Sequence, residues 1–302
     1  MNRLLSSCLL VSGLQWAAAP VFAQVDPEIG DFDRMIASGR YTEAEAPLEA
    51  YVASHPDSWQ ALYQIGYVDF RSHKILLSVE ALSRSLVLRV DQPEAHKILG
   101  FDLTILGKLD LAEVEMRQAI RLDPNSAESR YELGKICYER GQQGCAVQEL
   151  QTAIWIAPAY VKAHHNLGLA YEASNDFARA RRSFERAIEL NREQSRPSSW
   201  PYTDYAGFLN RRYDFAGALA LCRLAVEADP RADQAWFEMA KAYRGLADIA
   251  RSVTALERAI ELQRKPDYLY VLSQAYRKQG REAEARKVLS EFEIAKAKLE
   301  EH

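Results

Sequence analysis

Residues 161–191 read VKAHHNLGLAYEASNDFARARRSFERAIELN. His164, Leu167, Gly168 and Tyr171 recur at i, i+3, i+4 and i+7, which is one face of a helix. Asn175-Asp176 interrupts the pattern, and Phe177, Ala180, Phe184, Ala187 and Ile188 then mark a second apolar stripe with helical spacing. Helix, short turn and helix make an αα-hairpin. Gly168 and Ala180 are small where two antiparallel helices must approach closely. Ala187 leaves room for whatever packs on the hairpin next.

The same unit recurs along the chain. Gly66, Gly100, Gly134 and Gly168 are spaced at intervals of 34 residues, as are Ala112, Ala146 and Ala180, then Ala119, Ala153 and Ala187, then Pro124 and Pro158. Four sets in one register identify a repeat architecture. The interval is broken twice. One extra residue lies near Val90-Asp91. About four more lie in EQSRPSSWP, residues 193–201, where Pro197 and Pro201 preclude a continuous helix. Residues 195–198 are read either as a hinge between two sub-arrays or as a surface loop.

The spacing W-x2-L-G-x2-Y, then A-x3-F, A and P, resembles the tetratricopeptide repeat. His164, Leu167, Gly168, Tyr171, Ala180, Phe184 and Ala187 match it, with His164 in the tryptophan slot. Trp236, Met239, Ala240, Tyr243, Leu256 and Ala259 match it with Ala240 in the glycine slot. Leu99-Gly100 with Ala112, Met116 and Ala119, and Leu133-Gly134 with Ala146, Leu150 and Ala153, supply two more. Tyr205-Ala206 with Ala218, Cys222 and Ala225 supplies another. Ile65-Gly66 with Ser78, Leu82 and Ser85 is weaker, and partial units start near Ala44 and end near Tyr276 and Leu289. The expected fold is all-α, a right-handed α-solenoid of about eight helix-turn-helix repeats. Residues 24–194 hold about five of them. Residues 195–302 hold about three and a capping helix, continuous with the first array.

Residues 1–23 stand apart. Arg3 precedes an uncharged run, Leu4 to Ala23, and Val21-Phe22-Ala23 places small residues where a signal peptidase reads. The expectation is a signal peptide cleaved after Ala23, an exported protein, periplasmic or secreted, and no membrane span after cleavage. An uncleaved anchor is the alternative. The net charge of −4 gives no reason to expect nucleic acid as a partner, and the basic run Arg179 to Arg186 reads as a solvated helix face.

No catalytic, cofactor or metal constellation emerges. Neighbouring His164 and His165 diverge by about 100° on a helix, His164 on the packing face and His165 on the opposite one. The glycines from Gly134 to Gly144 lack the end of a phosphate loop. No cofactor and no enzyme activity are expected. What the resemblance implies is a protein-binding scaffold whose first helices line a concave groove for a peptide or partner segment. The residues then expected to face that groove are Tyr63, Tyr67, Lys97, Phe101, Tyr131, Lys135, Tyr138, Lys162, His165, Asn166, Trp200, Phe237, Lys241, Arg244 and Tyr270. A self-associating scaffold, or an accessory subunit of an enzyme or envelope assembly complex, are the alternative roles.

Cys137 and Cys145 flank Gly141, each four residues from it on opposite arms of one hairpin. At about 1.5 Å per residue the arms bring both to a similar height. Either they form a disulfide that staples the hairpin, or they are two separately packed thiols. Cys222, in the slot of Phe184, is expected to be a buried free thiol.

Overall fold

The computed structural model describes residues 27–300. Among these, all regular structure is α-helical, in sixteen helices that pair in order into eight hairpins. They fall into two compact units. The first, ending at Val90, comprises α1 (Pro27–Ala37), α2 (Tyr41–Ser54), α3 (Trp59–Arg71) and α4 (Ile75–Leu88). The second, beginning at Asp91, holds twelve helices. These are α5 (Pro93–Ile105), α6 (Leu109–Leu122), α7 (Ala127–Glu139), α8 (Gln143–Ile156), α9 (Val161–Ala173) and α10 (Phe177–Arg192). They continue with α11 (Trp200–Arg211), α12 (Phe215–Ala228), α13 (Asp233–Gly245), α14 (Ile249–Leu262), α15 (Pro266–Lys278) and α16 (Glu282–Glu300). Within each unit, a hairpin's second helix packs on the first helix of the next hairpin, as α8 does on α9 and α12 on α13. This is the layout of a helical-repeat solenoid.

The turns share one design. The second residue after the first helix takes a left-handed backbone in every hairpin of the described residues: Gly39, His73, Gly107, Gly141, Asn175, Tyr213, Ala247 and Gly280, with φ between 60° and 74°. The next amide then bonds back five residues. Gln142 N donates to Cys137 O at 2.8 Å, and Asp176 N donates to Tyr171 O at 2.9 Å. These 6→1 bonds satisfy carbonyls that the ending helix leaves open. At Gly141 the geometry is free of Cβ strain; at Tyr213 and Ala247 the packing of the hairpin must offset it.

The cores lie between helices of a hairpin and between successive hairpins. Ala112, Ala146, Ala180 and Ala218 are fully buried, and Ser78 and Ser252 fill the same slot. Ser252 Oγ donates to Ala240 O at 2.8 Å, which removes the cost of a buried hydroxyl. The glycine slot is filled from the second helix. Leu82, Met116, Leu150 and Phe184 occupy the space that a side chain on Gly66, Gly100, Gly134 or Gly168 would need.

The compact units divide at the single extra residue near Val90-Asp91, whereas the sequence subdivided the array at 194/195. The four-residue insertion is held in place from both sides. Asn191 Nδ2 donates to Ser198 O at 2.9 Å, and Ser198 N donates to Asn191 Oδ1 at 3.0 Å, with Asn191 buried. Contacts between α10 and α11 continue across it. At the C-terminus α16, the capping helix of the last hairpin, runs on to Glu300.

Cys137 on α7 and Cys145 on α8 are joined as a disulfide, with Cα atoms 5.8 Å apart. Cys222 is free and fully buried, and burial pushes its thiol well above the usual range. No helix of the described residues is long and apolar enough to cross a membrane. Residues 1–26, and with them the signal-peptide segment, lie outside the described residues.

Candidate protein-interaction face

First helices of successive hairpins adjoin within each unit, as α1 does α3 in the first. In the second unit α5 touches α7, α7 touches α9 and α11 touches α13. The outward residues of these helices form a surface of aromatic rings and paired charges.

In the first unit Tyr63 and Tyr67 are half-buried on α3 with ring centroids 6.4 Å apart. Arg71 donates to Tyr67 Oη at 2.9 Å and lies over the Tyr41 ring at 4.7 Å, which fixes the tyrosine edge.

In the second unit Lys97 is bound by Glu94 at 2.7 Å and by Glu128 at 2.8 Å. Its charge therefore bridges α5 to α7 and is not open to a ligand. Phe101 is half-buried on the same helix. On α7, Lys135 pairs with Glu132 at 2.8 Å, and Tyr138 is half-buried. Burial raises the Glu132 carboxyl above its ordinary range, with Lys135 opposing the shift. On α9, Lys162 is exposed and Asn166 half-buried. Lys241 pairs with Glu238 at 2.9 Å, Arg244 is half-buried, and Tyr270 is 44% exposed with its ring 5.3 Å from Phe292.

Three residues expected in the groove are core instead. Tyr131 is 6% exposed: its ring lies 4.9 Å from Tyr160, and Asn166 Nδ2 donates to its hydroxyl at 3.2 Å. Burial pushes both phenols up, that of Tyr160 to about 12. Phe237 stacks on Tyr268 at 4.5 Å. His165 is buried between Phe184 and half-buried Trp200, with Nε2 3.0 Å from Asp204 Oδ2. His164, assigned to the packing face, is the more accessible of the pair and meets Pro158 O at 2.9 Å. The reason is common to all three. Each ring meets an aromatic residue of the next hairpin or of the turn leading into it, Tyr160, Trp200 or Tyr268, and so closes the gap between repeats.

The sequence reading missed Tyr160 and Tyr268. Tyr160 lies in the turn before α9, outside the periodic slots. Tyr268 is fully buried and donates to Asp233 Oδ2 at 2.6 Å, while Lys265 pairs with the same carboxylate at 2.7 Å. Both rings act between repeats, and no spacing within one repeat marks them.

Profiles for the TPR repeat match residues 134–175, and those for the tetratricopeptide repeat match 161–194 and 237–298. The chain carries tetratricopeptide repeats. Among solved structures, it is similar to a tetratricopeptide repeat protein from Parabacteroides merdae, with a TM-score of 0.64 and 16% identity, over 79% of this chain and 93% of that one. It is also similar to MamA from Desulfovibrio magneticus, with a TM-score of 0.51 and 23% identity, over 55% of this chain and 94% of that one. Yeast Tom70 is a third, with a TM-score of 0.62 and 16% identity, over 84% and 55% of the two chains. At these identities the likeness is one of fold. No curated protein matches the sequence. The tetratricopeptide fold is a general scaffold for protein–protein interaction, and proteins built on it are generally non-catalytic.

Proposed function

We propose that this protein is a non-catalytic scaffold that holds a peptide or partner segment against the first-helix face of its repeats, in the cell envelope or outside the cell. The observation that carries this reading is the accessible row on that face. Lys135 and Tyr138 lie on α7, which adjoins α9 with its Lys162 and Asn166, and Lys241, Arg244 and Tyr270 lie on helices further along. Mixed aromatic and cationic surfaces suit protein partners, because rings bury large areas at low entropic cost and cations orient carboxylates. The uncharged run from Leu4 to Ala23 supports export, and the net charge of −4 supports a protein partner over nucleic acid. The test is affinity capture from the native envelope with residues 24–302 as bait, followed by a titration of the captured partner. Tyr138→Ala with Lys162→Ala is expected to weaken binding at unchanged helicity. Equal affinity for the folded double variant would remove the face from the reading.

A further inference from the structure

The first helices α11, α13 and α15 end around one pocket of about 350 Å³. Four of its lining residues are cations: Arg211, Lys241, Arg244 and Lys278; no carboxylate lines it. Asn210, Arg244 and Lys278 hold the same slot in three successive hairpins, 34 residues apart. Two of the cations are occupied. Arg211 forms two hydrogen bonds to Glu172, both at 2.8 Å, and Lys241 pairs with Glu238. Arg244 and Lys278 have no ion-pair partner among the described residues. One cation per helix end would complement the helix dipoles. That role does not account for four converging on one concavity, where low-dielectric walls focus their field.

The lining is also aromatic. Tyr213 is 80% exposed and meets Phe215 edge to face at 6.0 Å. Phe215 in turn lies where Gly245 has no side chain: a Cβ there would come within 2.4 Å of the ring. Asn210 adds a third feature. Its Nδ2 donates to Glu238 O and to Glu238 Oε2, both at 2.9 Å, while its Oδ1 is buried with no donor.

We infer that this pocket binds an acidic segment of a partner protein, an Asp or Glu side chain meeting Arg244 and Lys278 while an adjoining apolar side chain lies on Tyr213 and Phe215. This rests on the scaffold reading and narrows it to a partner of stated chemistry. The site shares Lys241 and Arg244 with the face described above and gathers at the C-terminal ends of the first helices, whereas Lys162 and Asn166 lie in the first half of α9.

The test is fluorescence anisotropy of the chain with a labelled peptide of sequence Gly-Glu-Glu-Phe-Glu-Glu-Gly, and with its glutamine counterpart. The glutamate peptide is expected to bind, and more weakly as salt rises from about 50 to about 300 mM. Arg244→Gln with Lys278→Gln is expected to weaken it by about tenfold or more, two charge-assisted contacts being lost. Arg223→Gln with Arg286→Gln, an equal charge change on exposed residues elsewhere, is expected to leave it unchanged. No binding of the glutamate peptide by the folded chain, or an equal loss in both double variants, overturns the inference. A partner captured from the envelope separates the two levels. Unchanged partner affinity in Arg244→Gln, Lys278→Gln overturns the pocket and leaves the scaffold standing. Failure to capture any partner overturns the scaffold, while the peptide titration still decides the pocket.

Discussion

Gly134 on α7 and Leu150 on α8 touch so closely that a Cβ on Gly134 would lie 2.7 Å from Leu150 Cγ. The same sixteen-residue relation joins Gly66 to Leu82, Gly100 to Met116 and Gly168 to Phe184. Gly134→Ala is therefore expected to cost about 1–3 kcal/mol by overpacking. Leu150→Ala added to it should recover part of that loss, since the two sites share one space. Gly144→Ala, with nothing within 4 Å, should be neutral or stabilising by up to about 1 kcal/mol. Urea unfolding of the four chains checks this. Equal costs at Gly134 and Gly144 would refute the shared-space account.

Tyr131 and Tyr138 lie two turns apart on α7 but should behave differently. Tyr131 is buried against Tyr160 and bonded by Asn166, so Tyr131→Ala should destabilise by about 3–5 kcal/mol. Tyr138→Ala should leave the unfolding midpoint nearly unchanged and act on partner affinity. A Tyr131→Ala chain as stable as the parent would show that the ring does not join the repeats.

Asp69 is expected to make the stability of the first unit depend on pH. Burial raises its carboxyl from 3.8 to about 6; Lys74 opposes the shift, and Glu45 and Glu49 add to it. Between those values the folded chain holds the proton more tightly than the unfolded chain. Asp69 thus costs nothing well below pH 3.8, and its cost grows as pH rises from there through 6. At pH 7 Asp69→Asn should be more stable than the parent by about 1–3 kcal/mol, a gap that narrows to below about 1 kcal/mol by pH 4. Paired denaturation curves from pH 4 to 8 measure it. A gap independent of pH would contradict the assignment.

The Cys137–Cys145 bridge closes a short loop, so reduction should cost about 2–3 kcal/mol. Proteolysis of the unreduced native protein should yield one linked peptide pair joining these residues. Cys222, fully buried, should resist alkylation until the chain unfolds. Alkylation of both Cys137 and Cys145 without reduction would count against the staple.

Export has its own test. N-terminal sequencing of the native protein should start at or near Gln24. A chain that begins at Met1 in the membrane fraction would favour the anchor instead.

Hairpin, turn and repeat were legible in the sequence because each is local. Leu167, Gly168 and Tyr171 share one helix face by spacing alone, and the 34-residue recurrence of glycine and alanine marks where two helices of one hairpin meet. Cys137 and Cys145 could be set at one height by counting residues from Gly141. Tertiary structure alone decided what happens between hairpins. Tyr131, His165 and Phe237 have the spacing of outward residues, yet each is closed off by a neighbour that no local spacing predicts: Tyr160, Trp200 and Tyr268. The cationic pocket is of the same kind. Asn210, Arg244 and Lys278 are separated by whole repeats in sequence, and only the stacking of α11, α13 and α15 brings their ends around one space. Periodicity records the forces within a repeat; contacts between repeats depend on how the hairpins stack, which a single repeat's spacing does not encode.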